Sequence, residues 1–111
     1  MPDYDYFHAA QEVNVMARQN EIGHTICERP NGEIVSGPVA EGGPVSVEIP
    51  LQCPAGSRYV GLWHTHPGGI PYPSSVDIRT AQLTRAEKMC ISVPETGVTK
   101  CYNVRDLGRS A

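Results

Sequence analysis

No stretch constrains this chain more than residues 63–77, where two histidines, a serine and an aspartate stand at fixed intervals around a loop of glycines and prolines. The six residues that lead into the histidines (Arg58, Tyr59, Val60, Gly61, Leu62 and Trp63) have the β-branched and aromatic character of a buried strand. Side chains two apart on a strand share a face. His64 and His66 therefore project together from its end while Thr65 turns away, and Pro67 stops the strand by withdrawing a ladder donor. Residues 68–73 are a loop on their glycine and proline punctuation. Ser74, Ser75, Val76 and Asp77 read as a helix start whose first-turn carboxylate can fold back toward the strand end. Two imidazoles and one carboxylate suit zinc, and three protein ligands leave the fourth tetrahedral position to water, which separates a catalytic site from a closed structural one.

The same residues have plainer uses. Ser74 followed three residues later by Asp77 also fits a capping box, and two histidines near a strand end are commonly polar edge residues. What counts is the conjunction: His-x-His-Pro, six residues, then Ser-x-x-Asp.

That pattern resembles the signature of the JAMM, or MPN-plus, metalloprotease family, completely over residues 63–77. The resemblance implies that His64, His66 and Asp77 hold one Zn2+ per chain, that Ser74 helps stabilise an oxyanion, and that a glutamate from an earlier strand acts on the metal's water. It places this glutamate where the first helix gives way to the first strand, with a glycine two or three residues later. Glu21, ahead of Ile22 and Gly23, stands there; Glu28, toward the other end of the same strand, is the alternative. Without the motif, either is a solvated surface charge. His24 reads as an edge residue. The activity implied is amide or isopeptide hydrolysis, and the partner a ubiquitin-like protein conjugate, its precursor, or a peptide. Ile70 and Tyr72, with Pro71 between them, either wall a groove for an extended peptide or only stiffen the loop. Other readings stay open: a zinc hydrolase of small amides or modified carrier proteins, a non-catalytic MPN-type scaffold, or a structural metal or capping site on an unrelated fold.

At 111 residues the chain is a single domain, with the motif core spanning 21–104. A net charge of −3 offers no basic stripe to neutralise phosphates, which argues against nucleic acid. Neither a signal-like start nor a membrane-length apolar run is present, so the expectation is a cytoplasmic chain without a membrane partner. Cys27, Cys53, Cys90 and Cys101 include no Cys-x-x-Cys pair, which argues against a zinc ribbon or thioredoxin-like motif. They read as small buried hydrophobes, with Cys90 and Cys101 the pair to bridge if oxidised.

Residues 4–18 carry Tyr6, Ala9, Ala10, Val13, Met16 and Ala17 at three- and four-residue spacing, an amphipathic helix with His8 toward solvent. Its stripe packs on the sheet or against another subunit, which leaves a homodimer open. Strands are expected at 21–27 and 33–36 through an Asn31-Gly32 turn. Further strands are expected at 45–49 on clean alternation, at 58–63, and at 88–93 and 98–104 about a turn at 94–97. Val76, Ile78, Ala81, Leu83 and Ala86 predict a helix over 78–87, and residues 105–111 a loose tail. The layout is α+β: a curved mixed β-sheet flanked by an N-terminal helix and a helix following the zinc motif. This agrees with the JAMM, cytidine-deaminase-like core that the resemblance implies.

Overall fold

Six strands make one mixed sheet in the computed structural model, which describes residues 20–108. The helix expected over 4–18, with His8, lies outside the described residues. In chain order the elements are β1 (Ile22–Glu28), β2 (Ile34–Ser36), β3 (Ala40–Glu41), β4 (Arg58–Thr65), α1 (Ser75–Leu83), β5 (Lys88–Val93), β6 (Val98–Asn103) and a 3-10 turn at Val104–Asp106. Their order across the sheet is β2-β1-β4-β5-β6, with β3 sharing the outer edge of β1. Only β4 and β5 run parallel. Parallel neighbours cannot be joined by a tight turn, so the chain returns through α1. This leaves the β4–α1 loop at the carboxyl ends of both strands, where open α/β sheets bind their ligands.

Alternation sorts the side chains. Leu62, Met89 and Ile91 form the main core with Ala81 of α1, Ala86, Val104 and Leu107. Ile22, Trp63 and Cys90 form a second cluster on the opposite face. The expected hairpin forms, with Gly32 N–H closing the turn on the Arg29 carbonyl at 2.9 Å and Gly32 supplying the left-handed residue at φ +88°. The terminal hairpin also forms as expected, with Val93 opposite Val98.

Several expectations fail for physical reasons. Residues 45–49 are no strand. Their alternation is real, since Ile49 leans onto the main core, but the outer edge of β1 is already taken by β2 and by the unexpected β3. A period of two reports half-covered extended backbone, and says nothing about whether a ladder partner is free. The helix after the motif starts at Ser75, where the Ser74–Asp77 start was expected, but ends at Leu83 and does not reach 87. Arg85 at φ +60°, the Ala86 N–H to Ala81 carbonyl bond at 2.9 Å and the Arg85 N–H to Gln82 carbonyl bond at 3.2 Å form a Schellman stop. That stop usually carries glycine, and the arginine hid it. Val76 and Leu83 are 71% and 74% exposed, so they belong to no core.

The tail is not loose through Leu107, which is buried beside Val104. The cysteines are not free thiols: Cys27 bridges Cys53, and Cys90 bridges Cys101 directly across the hairpin. His24 is buried within β1 and stacks on Trp63 with ring centroids 4.7 Å apart, so it is a core residue and not an edge one. Among the described residues, no helix is long and apolar enough to cross a membrane.

Candidate metal centre

Two elements and the residue just past the first of them bring three side chains to one point. β4 delivers His64, 4% exposed, from its last turn of alternation; His66 follows just past the strand end; and the first turn of α1 delivers Asp77. His64 Nε2 and His66 Nε2 stand 3.1 Å apart. Both face the same oxygen, Asp77 Oδ2, at 3.2 and 3.0 Å. Tetrahedral ligands on bonds of about 2.0–2.1 Å stand about 3.3–3.4 Å from one another. A near-equilateral triangle with sides of 3.0 to 3.2 Å therefore needs only a slight opening to accept such an ion.

The hydrogen bonds behind the triangle say what it requires. His66 Nδ1 lies 3.0 Å from the Ile70 carbonyl, which can only accept, so Nδ1 carries a hydrogen. The Nε2 of a neutral His66 is then a bare lone pair aimed at a carboxylate oxygen 3.0 Å away. Two acceptors at that distance repel unless a hydrogen or a cation lies between them. A second proton on His66, an Nε2–H of neutral His64 shared between the two acceptors at 3.1 and 3.2 Å, or a shared cation satisfies the contact, and protons and cation compete. In the proton-bound form, the Asp77 hydrogen bond raises the His66 pKa against the opposing effect of burial. Burial also opposes charge on Asp77, but bonds from His64, His66 and the Ser74 N–H outweigh it and hold this carboxyl far below the usual carboxylate range.

Ser74 and Asp77 form the capping box considered for them. Ser74 caps α1: its hydroxyl accepts the Asp77 N–H at 3.1 Å, while its own N–H donates to Asp77 Oδ2 at 2.9 Å. The capping box thus orients the carboxylate oxygen that meets both imidazoles. The Ser74 hydroxyl has spent one lone pair and keeps its hydrogen to donate.

Glu21 and Glu28 are separated by the register. Gly23 pairs with His64, so Glu21, two residues before it, lies at the end of β1 beside the histidines. Its backbone is held on both sides, N–H to the Gly43 carbonyl and carbonyl from the Gly42 N–H, both 2.8 Å. A side chain at Gly42 would collide with the Ser46 carbonyl at 2.2 Å, so this close lane needs glycine. Glu21 is 7% exposed. Burial raises its pKa, and Asp77 adds to that, while His64 and His66 pull it back, which puts all three within electrostatic reach. Glu28 sits at the opposite end of β1, bonded to Arg58 at 2.9 Å, and is not part of this cluster.

The loop over residues 67–73 is tied down at both ends. Gly68 N–H donates to Glu95 Oε1 at 2.9 Å, and the Tyr102 hydroxyl donates to the Pro71 carbonyl. Ile70 and Tyr72 turn their side chains outward, 67% and 47% exposed, with Tyr72 edge-on to Tyr102 at 5.4 Å. The Ile70 carbonyl escaped the sequence reading because it is main chain, and no residue type announces it. Tyr102 escaped because it lies 25 residues beyond the motif, on a strand that joins the site only through the sheet.

A family model described as prokaryotic homologs of the JAB domain matches residues 7–104. A crystal structure of a JAB1/MPN domain protein from Archaeoglobus fulgidus superposes with a TM-score of 0.54, covering 89% of this chain and 84% of that one at 20% sequence identity. That likeness is one of fold. No curated protein matches the sequence.

Proposed function

Because the chain belongs to the family of prokaryotic homologs of the JAB domain, we propose that it is a zinc-dependent amide or isopeptide hydrolase. Its substrate on this reading is a ubiquitin-like protein in a conjugate or precursor, presented as an extended peptide along Ile70 and Tyr72. The observation that carries the reading is the triangle of His64, His66 and Asp77, whose three ligand atoms converge within reach of one ion. Two nitrogens and a carboxylate oxygen are a zinc donor set.

Held by His64, His66 and Asp77, a zinc ion would supply a water of pKa lowered toward about 7 and Lewis-acid polarisation of the scissile carbonyl. The chain's own residues do the rest. Glu21, its pKa raised by burial, accepts a proton from the attacking water and returns it to the leaving amine. A carboxyl tuned upward serves both steps near neutral pH. The Ser74 hydroxyl donates to the developing oxyanion, a role worth about 2.7–4 kcal/mol per donor in acyl transfer. Asp77 stays ionised throughout, and the capping box keeps it aimed.

The test is metal content measured beside hydrolysis of a ubiquitin-like conjugate, for wild type and Glu21→Gln. Stoichiometric zinc in both with turnover only in wild type supports the reading. Zinc without turnover on any amide overturns it in favour of a scaffold. Location has a separate test. Two disulfides suit an oxidising compartment better than a reducing cytoplasm, and thiol labelling of protein taken from intact cells decides between them.

A further inference from the structure

The hydrogen bond that orients His66 ends on a carbonyl that is itself held by another strand. Ile70 C=O, which accepts from His66 Nδ1, belongs to the planar Ile70–Pro71 peptide unit. The pyrrolidine ring of Pro71 locks the next rotation, φ, near about −65°. The Ile70 carbonyl is thereby coupled almost rigidly to the body of Pro71. Pro71 has no N–H to anchor, and its carbonyl is gripped by the Tyr102 hydroxyl from β6. Tyr102 has a fixed base: it stands opposite Met89 in the β5–β6 register, packs against the main core, and meets the Tyr72 ring edge-on.

We propose that Tyr102 is a positioning residue for the metal ligand His66, acting through the Ile70–Pro71 unit; the proposal rests on the metal-centre reading above. The terminal hairpin is then part of the metal site without supplying a ligand. Its tyrosine keeps the Ile70 carbonyl where it fixes the His66 tautomer and ring plane, so that Nε2 arrives as a free lone pair. Groups that orient a ligand histidine typically contribute 10–100-fold in metal affinity. Tyr102 acts one link further out, at the lower end of that range.

Tyr102→Phe tests this because it keeps the ring and its contact with Tyr72 and removes only the hydroxyl. Tyr59→Phe is the matched control, since Tyr59 also spends its hydroxyl on one hydrogen bond, to Thr84 Oγ1 at 2.9 Å, away from the loop. Zinc affinity of the full chain is read by chelator competition, and the ligand field by the visible absorption of bound Co2+. The expected result is a zinc Kd about tenfold weaker and an altered Co2+ spectrum in Tyr102→Phe alone, while the metal-free thermal midpoints of the two variants fall alike. Equal zinc affinity and an unchanged spectrum in Tyr102→Phe overturn the proposal, as does equal weakening in Tyr59→Phe. A wild type that takes up neither metal overturns the metal-centre reading itself, a distinct result.

Discussion

The two ends of the β1–β4 pair use much the same chemistry to opposite effect. At one end Arg58 meets Glu28 and Glu87, each at 2.9 Å; at the other, His64 and His66 meet Asp77 at 3.2 and 3.0 Å. Distance does not distinguish them. Burial does: the Arg58 side chain is 60% exposed, that of His64 5%. Sharing does too, because the far-end carboxylates fan out from one guanidinium, whereas the near-end groups converge on one another. Water screens the first set to near irrelevance. The second set is largely shielded from water, so it shifts the pKa values of Glu21, His66 and Asp77 and suits a cation. Residue identity does not make a site; convergence in a place that solvent cannot neutralise does.

The comparison breaks most visibly at a ligand. His64→Ala should abolish stoichiometric zinc and all hydrolysis, since two remaining ligands cannot replace three. Inductively coupled plasma measurement of the purified variant, beside its activity, decides this. Full zinc occupancy in the variant would mean that the near end is only a capping box with two polar neighbours.

The next contrast sets one glutamate against another on the same strand. Glu21→Gln should lower kcat about 10²–10⁴-fold, the usual worth of a positioned proton carrier, while keeping its zinc. Glu28→Gln should leave both untouched. Were the two variants equally active, the buried carboxylate would have no proton to carry.

How much of this was legible in the sequence follows the same line. His64, His66, Ser74 and Asp77 lie within one strand–loop–helix unit, so local spacing was enough to bring them together. Glu21 was harder: spacing says nothing about pairing between β1 and β4, and family resemblance alone favoured it over Glu28. The structure puts Glu21 at the histidine end of β1 and Glu28 at the other, against Arg58. What stayed illegible was either main chain or remote. The Ile70 carbonyl has no letter of its own, Tyr102 reaches the loop from the sheet's last strand, and β3 and the unformed strand over 45–49 turn on which edge of β1 was free. Arg85 misled because its left-handed turn is bought by tertiary packing of Ala81 and Ala86, which no propensity scale records.

A subtler contrast is in pH. In metal-free protein, Asp77 is held far below its usual range, so its contribution to stability is present above about pH 3.9 and is lost as pH falls. His66 is raised, so its contribution is present below about pH 6.5 and is lost as pH climbs through its elevated value. Glu21 is raised by burial; its contribution is likewise lost as pH climbs, because the charged form must be kept from water. The three together place maximal stability of the metal-free protein in mild acid, declining toward neutrality, and added zinc should reverse the decline. Urea unfolding in chelator from pH 4 to 8 checks the shape, and Asp77→Asn should flatten its acid limb. A metal-free stability that keeps rising through pH 7 would place the controlling groups elsewhere.

The smallest expected effect is the sharpest on the far end. Arg58→Met removes two contacts of 2.9 Å at once, and a count of salt bridges would rank it among the worst substitutions in the chain. The physics says otherwise. The guanidinium lies in water, its two carboxylates are solvated without it, and methionine keeps an apolar stem along the sheet. Thermal unfolding should therefore barely move, any loss should shrink further as salt is added, and zinc affinity should stay at the wild-type value. A large, salt-resistant loss would show that Arg58 clamps the β1–β4 ends as firmly as the metal triangle does, and burial would no longer explain the difference between them.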